Sequence, residues 1–169
     1  MIWKELKYPK CFVQLADELA TLRTMHSKHI YKKGTEKYRG EKEHKISMLG
    51  ILAELIARHY LDNGDNEIKV APLVEENPIV EADIILYGVG EKYLIDVKGV
   101  KKSAEYLRVN YSAQNNPNKK ITHYMFVQII SRTKAKYCWL SKDKINSWEI
   151  ADSTYTKVYR KKINEKANK

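Results

Sequence analysis

Phe12, Leu15, Leu19, Leu22 and Met25 recur at spacings of three and four through residues 9–26, the stripe of an amphipathic helix whose apolar side faces a core. Residues 46–64, ISMLGILAELIARHYLDNG, are apolar nearly all the way round for four turns and close on Asn63-Gly64, so they predict a second, largely buried helix. Residues 26–45 lie between these helices and are polar, with seven Lys or Arg, three of the five histidines and glycines at 34 and 40. They read as a basic, flexible loop. Their histidines, His26, His29 and His44, lack companion ligands at zinc spacing, which favours solvated surface.

Beyond residue 66 the period shortens. EIKVAPLV, residues 67–74, predicts a short strand ended near Pro72, and residues 76–78, Glu-Asn-Pro, predict a turn. Residues 79–100 hold two runs rich in Ile, Val, Leu and Tyr around Gly88-Val89-Gly90, a hairpin signal. LRVNYSA (107–113) reads as a further strand and QNNPNKK (114–120) as a loop. HYMFVQII (123–130) and KYCWL (136–140) form a second β pair. The tail, residues 157–169, has six Lys or Arg against one acid and is expected to fray. With no repeat and no dividing linker, residues 1–169 read as one α/β or α+β domain around a central sheet.

Composition narrows the setting. Of 169 residues, 43% are hydrophobic and 31% charged, enough for a real core under a charged surface. Cys11 and Cys138 sit in apolar contexts, so both are expected in the core of a reduced, intracellular, cytoplasmic protein. The first residues lack a signal-peptide pattern, and no stretch approaches the roughly 18 apolar residues of a membrane span, so a soluble protein is expected. A formal net charge of +10 makes polyanions, nucleic acid first, the expected partners.

One apolar run carries charge that needs a reason. In YLIDVKGV, residues 93–100, Asp96 and Lys98 project from one strand face about 7 Å apart. Asp83 lies thirteen positions before Asp96 across the tight turn, so an antiparallel hairpin brings the two carboxylates together. Carboxylates held in a partly buried place repel unless a cation lies between them, and Mg²⁺, with Mn²⁺ as a substitute, prefers such oxygens. Lys98 beside that ion could orient or deprotonate a water and stabilise charge on a phosphate oxygen, which suits phosphodiester cleavage. Glu54, the only acid of the buried helix between Glu43 and Asp62, shares a face with Ser47, Gly50 and Ala57 and could supply a third carboxylate. Its competing role is an ion pair with Arg58. Acid-x-Lys recurs at Glu5/Lys7, Glu43/Lys45 and Glu67/Lys69, but only Asp96/Lys98 lies in an apolar strand that follows another acid-bearing strand.

The arrangement Glu54, Asp83, then Asp96-Val97-Lys98 resembles the PD-(D/E)XK nuclease superfamily over roughly residues 46–100. That resemblance implies an α/β, restriction-endonuclease-like fold with a central mixed β-sheet flanked by helices, and a Mg²⁺-dependent DNA endonuclease leaving 5′-phosphate and 3′-hydroxyl ends. It further implies that Glu54, Asp83, Asp96 and Lys98 are catalytic and that Asp83, Asp96, the Val97 carbonyl and Glu54 serve the metal. A homodimer is a further implication. Ala82 stands where the family has proline, and Glu81, on the same strand face as Asp83, competes for its role.

Arg108, Asn110, Tyr111, Lys119, Lys120 and His123 follow in a polar, aromatic-bearing stretch suited to phosphates or bases, with His123 a candidate neighbour of the metal. A small basic nuclease without an added recognition domain suggests structure-specific, repair, resolvase or mobile-element cutting. The alternative is a non-catalytic nucleic-acid-binding module whose acids and lysine form structural salt bridges.

Overall fold

The computed structural model describes residues 1–30, 42–62, 67–71, 73, 82–88, 90–153 and 156–163, with the side chains of 26–30 excepted. The chain opens with β1 (Lys4–Lys7), α1 (Cys11–Ile30) and α2 (Lys42–Leu61). It continues through β2 (Glu67–Val70), β3 (Ile84–Tyr87), β4 (Lys92–Lys101), β5 (Tyr106–Asn110), the single turn α3 (Tyr111–Gln114) and β6 (His123–Ile129). β7 (Lys134–Ser141), α4 (Lys142–Ile145), β8 (Glu149–Asp152) and β9 (Lys157–Lys162) complete it.

Six strands form one sheet in the order β1-β7-β6-β4-β3-β2, and β5-β9-β8 form a small antiparallel sheet. Within the large sheet only β4 and β6 run parallel. A parallel pair needs a long crossover, and residues 102–122, carrying β5 and α3, supply it. The result is an α/β fold with a mixed sheet flanked by helices.

Side-chain alternation sorts the two faces. Ile95, Val97, Met125 and Val127 point to α1 and α2, where Ile51 and Ile56 pack on them. Val100, Tyr124, Phe126 and Cys138 point the other way and pack with Leu107 and Trp148 beneath the small sheet. α2 approaches the sheet closely because Gly99 has no side chain: a Cβ there would stand 2.6 Å from the Leu49 carbonyl oxygen. The hairpin between β3 and β4 turns at Gly90, whose φ of +78° is open to glycine at little cost.

Several expectations are corrected. On α1 the large residues do not all face inward: Ala16 and Ala20 are fully buried while Leu15, Leu22 and Met25 are exposed. Small side chains let α1 lie close to α2, and the buried stripe shifts by about one position. The polar segment 26–45 is helical at both ends, through Ile30 and from Lys42, and residues 31–41 lie outside the described residues. Tyr111, Ser112 and Ala113, expected in a strand, form α3. The basic tail contributes β9, which pairs with both β5 and β8, rather than fraying from Lys157; residues 164–169 lie outside the described residues. Cys11 is exposed, not core. Asn63-Gly64, Pro72, the turn at 76–78, Glu81 and Val89 also lie outside the described residues. Among the described residues no helix is long and apolar enough to cross a membrane.

Candidate active site: acidic side chains at the open edge of β4

β3 has four residues and β4 has ten. β3 accompanies β4 only from Lys92 to Ile95, so among the described residues β4 from Asp96 to Lys101 is paired on one side alone, with β6. Carrying the Ile84↔Ile95 register one place back sets Asp83 across from Asp96. Asp83 Oδ2 accepts the Val97 N–H at 2.7 Å, capping the first bare group of that edge. Since N–H and C=O of one strand residue point to the same side, the Val97 carbonyl shares this edge.

Asp96 and Lys98 are in register with Tyr124 and Phe126, and so they project to the small-sheet face. Asp96 Oδ2 is ion-paired with Lys98 Nζ, while Oδ1 stands 3.6 Å from Lys119 Nζ. Lys98 Nζ also lies 6.0 Å from the centre of the Tyr124 ring. Tyr124 in turn donates its hydroxyl to Gln114 Oε1 at 2.9 Å, so a buried hydrogen bond sets the floor under the lysine. Glu54 comes from α2. Its carboxylate pairs with Arg58 at 3.4 Å and with Arg23 of α1 at 3.7 Å. Both arginines also donate to backbone, Arg58 to the Ala71 carbonyl at 2.6 Å and Arg23 to the Leu73 carbonyl.

The electrostatics follow from burial. Burial first, then the Asp83 charge, pushes the Glu54 carboxyl up to about 7 against the opposing pull of Arg23, Arg58 and Lys98. Asp83 is likewise raised, by burial and by Asp96, although Lys98 and the Val97 N–H oppose the rise. Burial alone would lower Lys98, but Asp96 and Asp83 outweigh it and hold the ammonium above its ordinary value. Lys98 is thus a fixed positive charge at neutral pH.

The structure therefore brings Glu54, Asp83, Asp96 and Lys98 into one neighbourhood. Among the described residues no three His, Cys, Asp or Glu side chains already enclose a metal position, because Asp96 turns to its lysines and Glu54 to its arginines. The donor set nevertheless fits a hard divalent ion. It offers two opposed carboxylates and a carbonyl edge, and Asp83 has no cation within ion-pairing distance among the described residues.

Of the expected substrate contacts, Lys119 joins the site and Arg108 is exposed beside Lys98 in a shared cleft. Lys120 and Asn110 are exposed, and Tyr111 stacks on Tyr159 with centroids 5.3 Å apart. His123 does not reach the site. Its register with Ile95 puts it on the helix face, against Tyr93 and Trp139, and burial lowers its pKa. Arg23, Tyr124 and Gln114 escaped sequence reasoning. Arg23 sits on α1, and only the α1–α2 packing brings it to Glu54. No family model matches the chain, and neither a curated protein nor a solved structure matches it.

Proposed function

We propose that this protein is a Mg²⁺-dependent nuclease of restriction-endonuclease-like fold that hydrolyses phosphodiester bonds in DNA. The carrying observation is Asp83, set across from Asp96 at the open edge of β4 with a backbone N–H but, among the described residues, no cation within ion-pairing distance. Asp83, Asp96 and the Val97 carbonyl would hold the ion, with Glu54 behind them. When bound, the ion supplies a Lewis acid that polarises the phosphoryl oxygen. Lys98, kept protonated by Asp96, adds a positive charge where the phosphorane oxygens develop negative charge. Tyr124 and Gln114 hold the site's floor in place, and Lys119 is the second cation near the bond to be cut.

The alternative, a non-catalytic nucleic-acid-binding module, is favoured by one observation. Four cations (Arg23, Arg58, Lys98, Lys119) attend two acids, Glu54 and Asp96, which is what a structural salt-bridge cluster requires. Their placement argues the other way. Two of them share Asp96, two share Glu54, and burial still raises Glu54 and Asp83.

Incubation with plasmid, branched DNA and RNA, in Mg²⁺ or in EDTA, separates the readings. Metal-dependent cleavage that falls by about a hundredfold or more in Asp96→Asn and Lys98→Ala is expected. Undiminished cutting by those variants would remove these residues from the chemistry. Salt-sensitive binding with no turnover and no calorimetric uptake of Mg²⁺ or Mn²⁺ would establish the alternative.

A further inference from the structure

One concavity adjoins the site, and a second adjoins the first. A cleft of about 580 Å³ runs from Lys98 along the open edge of β4, floored by Gly99 and Val100 and walled by Leu49 of α2 and by Tyr106 and Arg108 of β5. A second pocket, of about 290 Å³, is floored by Val13, Met48, Leu52 and Ile129. Leu49 and Lys101 line both, so the two abut at these residues. Their chemistry differs by design of the sequence. The cleft carries Lys98, Lys101 and Arg108 with Glu105 the sole acid of its lining among the described residues, whereas the pocket is an apolar floor rimmed by Lys45, Lys101 and Arg132. Lys101 and Arg108 are exposed and make no ion pair among the described residues.

A ligand that fills both must alternate anionic and flat apolar parts within a few ångströms. A polynucleotide strand does this, with phosphates outside and base faces available once the bases leave the helix. Concavities of a few hundred Å³ take ligand-sized groups, one or two nucleotides at a time. A paired helix keeps its base faces stacked inside and could offer the pocket nothing. We propose that the cleft and pocket form one track for an unpaired strand, in which Lys101 and Arg108 hold phosphates next to the reacting one and a single base enters the pocket between Val13 and Met48. The proposal deepens the nuclease reading and rests on it for which phosphate is cut. It makes the preferred substrate a single strand, or a branch with an unpaired arm.

Binding is measured by fluorescence anisotropy with labelled oligonucleotides in EDTA, where no cleavage intervenes, comparing single strand with duplex of equal length. Tighter binding of the single strand is expected. Lys101→Ala and Arg108→Ala should each flatten the log–log salt dependence by about 0.7. A scan of oligonucleotides with one abasic position should find a single position whose loss weakens binding about tenfold. That penalty should vanish in Val13→Trp, which fills the pocket, its folding checked by circular dichroism. A flat abasic scan in the unaltered protein together with equal affinity for duplex would overturn the track. So would anionic lipid vesicles or an acidic amphipathic peptide binding in place of oligonucleotide and losing affinity in Val13→Trp. The two proposals fail separately. Strand binding without Mg²⁺-dependent cleavage removes the nuclease and keeps the track, and cleavage indifferent to Arg108→Ala and to strandedness does the reverse.

Discussion

Glu54→Gln should stabilise the metal-free protein at pH 8 and do little at pH 5. Glu54 is buried, with a carboxyl raised from 4.5 to about 7. An acid raised on folding binds its proton more tightly in the native state, so native stability falls as pH rises from about 4.5 to about 7 and stays reduced above that. At about 1.4 kcal/mol per pH unit, the full ionisation cost is about 3 kcal/mol. Glutamine removes it. Part of the gain is offset, because Arg23 and Arg58 exchange a charged partner for an amide oxygen. A net gain of about 1–3 kcal/mol at pH 8 corresponds to a rise in Tm of roughly 3–10 °C for a chain of this size. At pH 5 the native carboxyl is already protonated and resembles the amide, so the difference should shrink below about 1 kcal/mol.

Thermal unfolding in EDTA at both pH values, with wild type and variant side by side, reads this directly. The difference between the two pH values is the informative quantity, since any packing cost of the amide is common to both and cancels. A variant less stable than wild type by the same amount at pH 5 and pH 8 would refute the reasoning. It would mean that the two arginines fully compensate Glu54 and that the cluster is a structural ion-pair network.

Gly99→Ala should destabilise by about 1–3 kcal/mol in urea unfolding and depress cleavage together, because its Cβ would stand 2.6 Å from the Leu49 carbonyl and push α2 off β4; a loss under about 0.5 kcal/mol would contradict that packing. In the native protein Cys11, which is exposed, should react with a thiol reagent at once. Cys138, which is 1% exposed with a thiol pushed up to about 12 by burial, should react only on unfolding; two thiols titrating together would place Cys138 elsewhere.

Legibility in the sequence followed how locally each feature is determined. β4, β6 and β7 are near-continuous apolar runs because they lie inside the sheet, and the residues of YLIDVKGV announce both the strand and its charges. β1 (KELK), β8 (EIAD) and β9 (KVYRKK) carry no such run, since each is short and rich in charge and is defined by its partner strand. The misreading of α1 has the same origin. Spacing alone selects the largest apolar residues, whereas close helix–helix contact selects Ala16 and Ala20, and only the neighbour reveals which applies. His123 shows the limit most sharply. Its place relative to Asp96 depends on the register of a parallel pair joined by some twenty residues, and a shift of one residue exchanges the faces. With Ile95 opposite His123, Tyr124 receives the position under Lys98.

The location of the acids also explains how β4 tolerates them. A strand paired on both edges and covered on both faces leaves a carboxylate nothing but other side chains to answer it, at a desolvation cost of several kcal/mol. β4 meets that condition only as far as Ile95, where β3 begins. Asp96 follows at once, and Asp83 is the residue just before β3 starts, so both acids stand where one neighbour gives out and the edge opens to the Lys98 cleft. Strand-length mismatch thus lets charge into an apolar strand and, in the proposed nuclease, would give the substrate a way in. The same four-against-ten mismatch leaves the backbone beyond Val97 bare on that side among the described residues, and this bare edge is the floor along which the proposed strand would run.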